Sequence, residues 1–279
     1  MNKQNGKSPT AVLICHENDR LDTEGLASWL ACTMTLAGLV VITDAPGRVL
    51  SVARREVRRV GWLGFLDVLA FRLFARIVLR SKDEAWKSGE VARLRARYPA
   101  DLRDVPRLVV ENPNADEVRV FLERLSPDVL IARCKFILKP AIFERAHAGA
   151  FALHPGICPE YRNAHGCFWA LVNRDLARVG MTMLKIDKGV DTGSIYLQAG
   201  CDFDEVRDSH TIIQYRVVTE NLDAIGRILI DLCEGRNPAK VPSAGRKSSV
   251  WGQPRLTSYL RWKKSAKKAS HAIGLPAVS

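Results

Sequence analysis

The chain lacks the marks of a metal or disulfide framework. Its seven cysteines are odd in number, none forms a CxxC pair, and most lie inside apolar runs. Cysteine in that setting is usually a small core residue, so no bound metal is expected and a reducing cytoplasm fits better than an oxidising compartment. No GxGxxG follows the first apolar run, where the chain reads CHENDR, which argues against an ordinary dinucleotide site. The start, MNKQNGKSPT, has no apolar stretch after its lysines and does not read as a secretory leader. Gly61 to Leu79 is long enough to span a bilayer, but Asp67, Arg72 and Arg76 interrupt it. Each such charge costs roughly 2.5–3.5 kcal/mol near a bilayer centre. Burial against the domain, or lying in a membrane interface, is therefore favoured over spanning. No nucleic-acid module is legible, and nucleic acid is disfavoured as a partner.

What is present is a 279-residue chain, 47% hydrophobic and 26% charged, with a net charge of +12. That size buries one sizeable core plus an appendage. The positive balance favours anionic partners such as nucleotides, folate polyglutamate or an acidic membrane surface. Short apolar runs at 11–15, 39–43, 107–111 and 129–132 read as buried strands. Asp22 or Thr23 can cap a helix through Leu26, Trp29 and Leu30, and Asp116 to Leu125 is an amphipathic helix. Strands alternating with helices predict a mainly parallel sheet with right-handed crossovers. A helical apolar period runs from His210 to Cys233 and stops at Gly235 and Pro238. The expected organisation is an α/β domain over 10–205 with a basic and apolar insertion at about 47–100. A helical extension over 206–238 and a basic tail over 239–279 follow. The tail mixes Lys263, Lys264, Lys267 and Lys268 with Trp251, Tyr259 and Trp262. One reading is a solvated terminus. The sharper reading is a weak anchor on anionic lipid, which would make the protein peripheral at the inner membrane face.

Phe151 to Gly193 carries the functional signal. A short apolar run delivers His154 to a turn at Pro155-Gly156, and a polar loop with Arg162, Asn163 and His165 follows. A second apolar run ends at Asp187-Lys188-Gly189-Val190-Asp191-Thr192-Gly193. Two strand ends thus present a His and an Asp at one sheet edge, where α/β folds place ligand sites.

With Ile137-Leu138-Lys139-Pro140 and Ala152-Leu153-His154-Pro155, this pattern resembles the formyltransferase family, over about residues 105 to 200. The resemblance implies a Rossmann-like formyltransferase fold with a helical carboxyl-terminal extension. It implies transfer of a formyl group from the co-substrate 10-formyltetrahydrofolate to an amine of a small metabolite, such as a sugar nucleotide. His154 matches the catalytic His and Asp191 its supporting Asp, with His165 a second catalytic candidate. Phe136, Ile137 and Leu138, with Lys188, Gly189 and Val190, match the pterin pocket, and Arg162 and Asn163 would face the substrate. Two departures stand out. The family's Asn, two residues before the His, is Ala152 here, which removes an oxyanion-type donor usually worth roughly 10²–10³ in rate. Lys188 replaces the usual Glu and favours an ionised Asp191. Arg162 and Asn163 are the nearest substitute donors in sequence, although Asn163 also suits a left-handed backbone position. The loss of the Asn keeps two alternatives open: a non-catalytic folate- or nucleotide-binding relative, and a formyltetrahydrofolate hydrolase.

Overall fold

A computed structural model describes residues 8–44 and 48–272. The first residues read for a leader, the start of the insertion at 47 and the tail beyond 272 lie outside these. The side chains of residues 48–52 and 55, Arg55 of the basic cluster among them, do so too.

Seven strands form the central sheet in the order β3-β2-β1-β4-β5-β7-β8. Five are parallel: β1 (Thr10–His16), β2 (Thr35–Ile42), β3 (Arg107–Val110), β4 (Val129–Arg133) and β5 (Gly149–His154). The last two, β7 (Met181–Lys185) and β8 (Ile195–Ala199), run antiparallel at one edge. The apolar runs expected as strands are β1 to β4, of which β3 is the partly exposed edge strand, and Ala11 to Cys15 in β1 is wholly buried. Such continuous apolar stretches are what a sheet covered on both faces requires.

Helices fill the connections: α1 (Ala27–Thr33), entered by a π-helical turn at Leu21–Leu26; α2 (Arg48–Phe74), bent at Gly61; and α3 (Arg80–Arg97). Next come α4 (Asp116–Leu125), the single turn α5 (Pro140–Phe143), and α6 (Gly166–Val172). Asp22 does not cap the first helix. It is buried, and Arg133 Nε donates to its Oδ1 at 3.1 Å. Burial raises the Asp22 carboxyl to about 7 despite that partner. The apolar period from 210 to 233 is two helices rather than one, α7 (His210–Thr219) and α8 (Leu222–Cys233). Asn221 breaks it, because its side chain donates to the carbonyls of Val217 and Gly200.

Residues 250–272 of the basic end fold onto the domain. A two-stranded ladder joins β6 (Arg162–Asn163) to β9 (Val250–Trp251), and α9 (Leu256–Ala272) packs on α2 and α6. Trp262 and Tyr259 are buried. Lys263 turns inward to donate to the carbonyls of Glu205, Val206 and Asp208. Tyr259 and Trp262 are therefore core residues, not headgroup anchors, because α9 needs an apolar face to seat on the domain, and Trp251 is half-buried on β9.

Candidate active site

β5 ends at His154, and the close approach of three backbone segments fixes the imidazole there. A Cβ on Gly156 would sit 2.6 Å from both His154 Nε2 and the Tyr161 carbonyl oxygen, and 2.9 Å from Gly166 Cα. Only glycine fits between these groups. Arg133 Nη1 donates to the Leu153 carbonyl at 2.7 Å and steadies the strand end just before the histidine.

The tautomer of His154 follows from its partner. Nε2 lies 2.8 Å from the Tyr161 carbonyl oxygen. A carbonyl only accepts, so Nε2 carries the proton and the neutral ring's lone pair is on Nδ1. Nδ1 in turn faces Asp191 Oδ2 at 3.7 Å. Two acceptors thus confront each other, and a proton taken up at Nδ1 would gain the carboxylate as counter-ion. His154 is buried and the Asp191 side chain is 15% exposed, so this charge would be only partly screened.

The Asp191 loop is stapled from within. Asp187 Oδ1 accepts from Gly189 N at 2.9 Å and from Thr192 Oγ1 at 2.7 Å. Asp191 has φ 51° and accepts on Oδ2 from Asn163 N at 2.7 Å. Asn163 (φ 75°) and His165 (φ 55°) are also left-handed. Asp, Asn and His are residue types enriched in that region, and such conformations gather at functional sites.

Both candidate substitute donors are already engaged. Arg162 Nε donates to the Val190 carbonyl at 2.8 Å and Nη1 to Ser248 Oγ, while the Asn163 amide donates to the Trp251 carbonyl. They position the Asp191 loop instead of replacing the missing amide. His165 is not brought to Asp191. Among the described residues its ring partner is His210, with centroids 6.0 Å apart, and its Nδ1 is buried without a hydrogen-bond partner. Burial, with help from Lys135, holds its pKa down at about 4.

A pocket opens beside the pair. Phe136, Ile137 and Leu138 line one side, and Gly189, Val190 and Asp191 line the other. Ala152 forms part of its floor, two residues before His154 and on the same face of β5. Lys188 is exposed on the neighbouring loop. His154, Cys158 and Asp191 also place one ligand-type atom each within 4.8 Å of one another. Burial pushes the Cys158 thiol far up, so it stands as a neutral thiol beside an acid–base pair.

Sequence reasoning missed the wall behind this site. Trp251 stacks on Tyr161 and on Trp169, at 5.6 and 5.1 Å between centroids, and donates through Nε1 to the Glu160 carbonyl. Arg246 clasps the Glu160 carboxylate at 3.0 and 2.7 Å. The only available signal was the pairing of Trp251 with basic neighbours, which reads equally well as a surface.

A family model described as Formyl transferase matches residues 73–229, more than half of the chain. The chain is 30% identical over 172 residues to the methionyl-tRNA formyltransferase of Chlorobium phaeovibrioides, covering 61% of this chain and 52% of that protein. It thus spans about half the length of that curated relative. Among solved structures, phosphoribosylglycinamide formyltransferase from Anaplasma phagocytophilum superposes with a TM-score of 0.53 at 12% identity. The match covers 89% of this chain and all of that one. A sugar N-formyltransferase from a Shewanella species superposes with a TM-score of 0.50 at 15% identity, covering 87% and 76%. At these identities the likeness establishes the fold.

Proposed function

Since the chain belongs to the formyl transferase family, we propose that it transfers a formyl group from 10-formyltetrahydrofolate to an amine of a small anionic metabolite, with an amino-sugar nucleotide the favoured acceptor. The observation that carries this reading is the bare Nδ1 of His154 facing Asp191, itself a lining residue of the pocket. The pocket suits a flat heteroaromatic group. Its sides are apolar at Phe136 and Leu138, and one rim is the peptide edge of Gly189 and Val190. The co-substrate would supply an activated formyl carbon. The protein's part is to accept the amine proton at His154 Nδ1 and to balance the imidazolium with Asp191. A positioned base of this kind contributes typically 10²–10⁴-fold. The excess of 42 Lys and Arg over 30 Asp and Glu supports an anionic acceptor.

Ala152 favours a second reading, in which the protein binds folate and transfers slowly or not at all. No amide stands at that position, and Arg162 and Asn163 are committed elsewhere. One experiment separates the readings: purified protein is incubated with 10-formyltetrahydrofolate and a panel of amines while tetrahydrofolate release is followed. Release that needs an amine supports transfer. Release without an amine identifies a hydrolase, and binding of a formyl-folate analogue with no release identifies the non-catalytic relative. Tight NAD binding without folate binding would overturn the assignment of the pocket.

A further inference from the structure

The helix after Gly61 buries one face and leaves the opposite one bare. Phe71 packs against Phe168, His210 and Tyr259, and Phe74 against Tyr259. Asp67 accepts from the backbone N–H and the hydroxyl of Thr257. On the other side stand Trp62 (70% exposed), Leu66 (56%), Leu69 (41%), Leu73 (59%) and Ile77 (71%). The spacings of four, three and four residues put Trp62 to Leu73 in one stripe along α2, and Ile77 follows in the π-helical stretch Ala75–Leu79 that continues the rod. Leu63, 85% exposed, widens its start. Large apolar side chains scattered singly on a surface need no explanation, but a row of them in register does.

The charges beside the stripe are one-sided. From Arg58 to Arg80 the chain carries Arg58, Arg59, Arg72, Arg76 and Arg80 against Asp67, which is turned onto Thr257; Arg59 pairs with Glu56, and beyond Arg80 Lys82 donates to the Arg207 carbonyl beside Asp83 and Glu84. Arg72, Arg76 and Arg80 are exposed. The neighbouring α9 adds exposed Lys264, Lys267 and Lys268.

We propose that this stripe is an interfacial anchor that lies in the headgroup region of an anionic lipid surface. Three features select lipid over a second copy of the chain. The surface is one convex helix, which can sink into a bilayer interface but gives a partner no groove. A self-pairing would bring Arg72 and Arg76 near their own copies with no acid in the stripe to answer them. Trp62, at the end of the stripe, is the residue type that settles at headgroup depth. No helix among the described residues is long and apolar enough to cross a membrane, so the contact is parallel to the surface. The anchor lies in the part of the chain that the sequence resemblance left unassigned, and it does not depend on the catalytic reading.

The test is co-sedimentation of the full-length protein with vesicles of neutral phosphatidylcholine, with and without about a third phosphatidylglycerol. Binding is expected to be at least tenfold stronger on the anionic vesicles and to weaken as salt is raised. The double variant Leu66→Glu/Leu73→Glu should lose that binding at least tenfold, since both changes are on exposed positions and circular dichroism and thermal midpoint should stay unchanged. Replacing Arg72 and Arg76 by Gln should weaken binding severalfold while leaving residual adsorption through the stripe. A blue-shifted emission component that appears with vesicles and is absent from Trp62→Phe would place that indole in the interface. Equal sedimentation of wild type and the Leu66→Glu/Leu73→Glu variant would overturn the proposal. So would a wild-type dimer that this variant converts to a monomer, without lipid binding in either form.

Discussion

Around Asp191 the backbone is stapled within its own loop, with Arg162 reaching the Val190 carbonyl from 28 residues away, whereas around Trp251 the support comes from rings and side chains in distant parts of the chain. Asp187, Gly189 and Thr192 close the first region over six residues. The second joins Tyr161, Trp169 and Glu160 to residues about 80 to 90 positions later. Local closure gives a compact motif that a sequence displays. Non-local closure gives the same rigidity with no motif, because each partner alone is an ordinary aromatic or ion-pairing residue. The His154–Asp191 pair sits between the two kinds of support: Asp191 on the stapled loop, and His154 with its proton fixed by a Tyr161 carbonyl that the distant arm holds in place.

The comparison breaks most sharply at the reacting pair. His154→Asn should lower formyl transfer by roughly 10²–10⁴, the usual contribution of a positioned base. Asp191→Asn keeps an acceptor for the Asn163 N–H while removing the counter-charge, so it should lose rate while the protein stays folded. Steady-state rates measured beside thermal midpoints check this. Wild-type rates in both variants would remove the pair from the chemistry.

Ala152 gives the next largest effect and the opposite sign. Ala152 lines the pocket together with Asp191, so Ala152→Asn should raise transfer, or hydrolysis of the co-substrate, by up to roughly 10²–10³. Retained folate binding with a flat or lower rate would mean that oxyanion stabilisation comes from elsewhere.

What the sequence displayed follows the same division. The parallel strands were legible because each is built on a short apolar run, His154 because it closes one of them at a recognisable turn, and Asp191 because its compact loop follows another strand end. Asn163 was legible as a left-handed position for the same local reason. The rest depended on partners far along the chain. Asp22 looked like a helix cap until Arg133, 111 residues away, claimed it. Lys263 looked solvated until three carbonyls of the 205–208 turn turned it inward, where burial lowers its pKa to about 8. The Leu66 to Ile77 stripe is apolar in the sequence whether it is buried or bare, and only the placement of Phe71 and Phe74 decides which face stays outside.

The distant support makes its own prediction. Trp251→Ala should cost about 2 kcal/mol, below the 3–5 kcal/mol of a fully buried tryptophan because this one is half-buried. Losing its grip on Tyr161 and Glu160 should also reduce the rate about tenfold through a loosened His154. A temperature series separates the two effects, since the rate loss should persist well below the melting transition. Full activity at low temperature would show that the arm supports the fold alone.

The smallest effect belongs to His165, and its sign can be fixed in advance. Burial lowers its folded pKa from the ordinary 6.5 to about 4, so between those values the unfolded chain binds a proton that the folded one refuses. Stability must therefore fall as pH drops through that window, by about 1 kcal/mol between pH 6 and pH 5 from this residue. His165→Asn keeps a side chain that tolerates φ 55° and removes the titration, so its stability should fall less over that interval. Urea midpoints at pH 6 and pH 5 for both proteins provide the measurement. His210, also buried and pushed the same way, will leave a residual slope in the variant. An unchanged difference between the two pH values in His165→Asn would mean that His165 takes up its proton in the folded state, which would bring it back into consideration as a charged group beside the site.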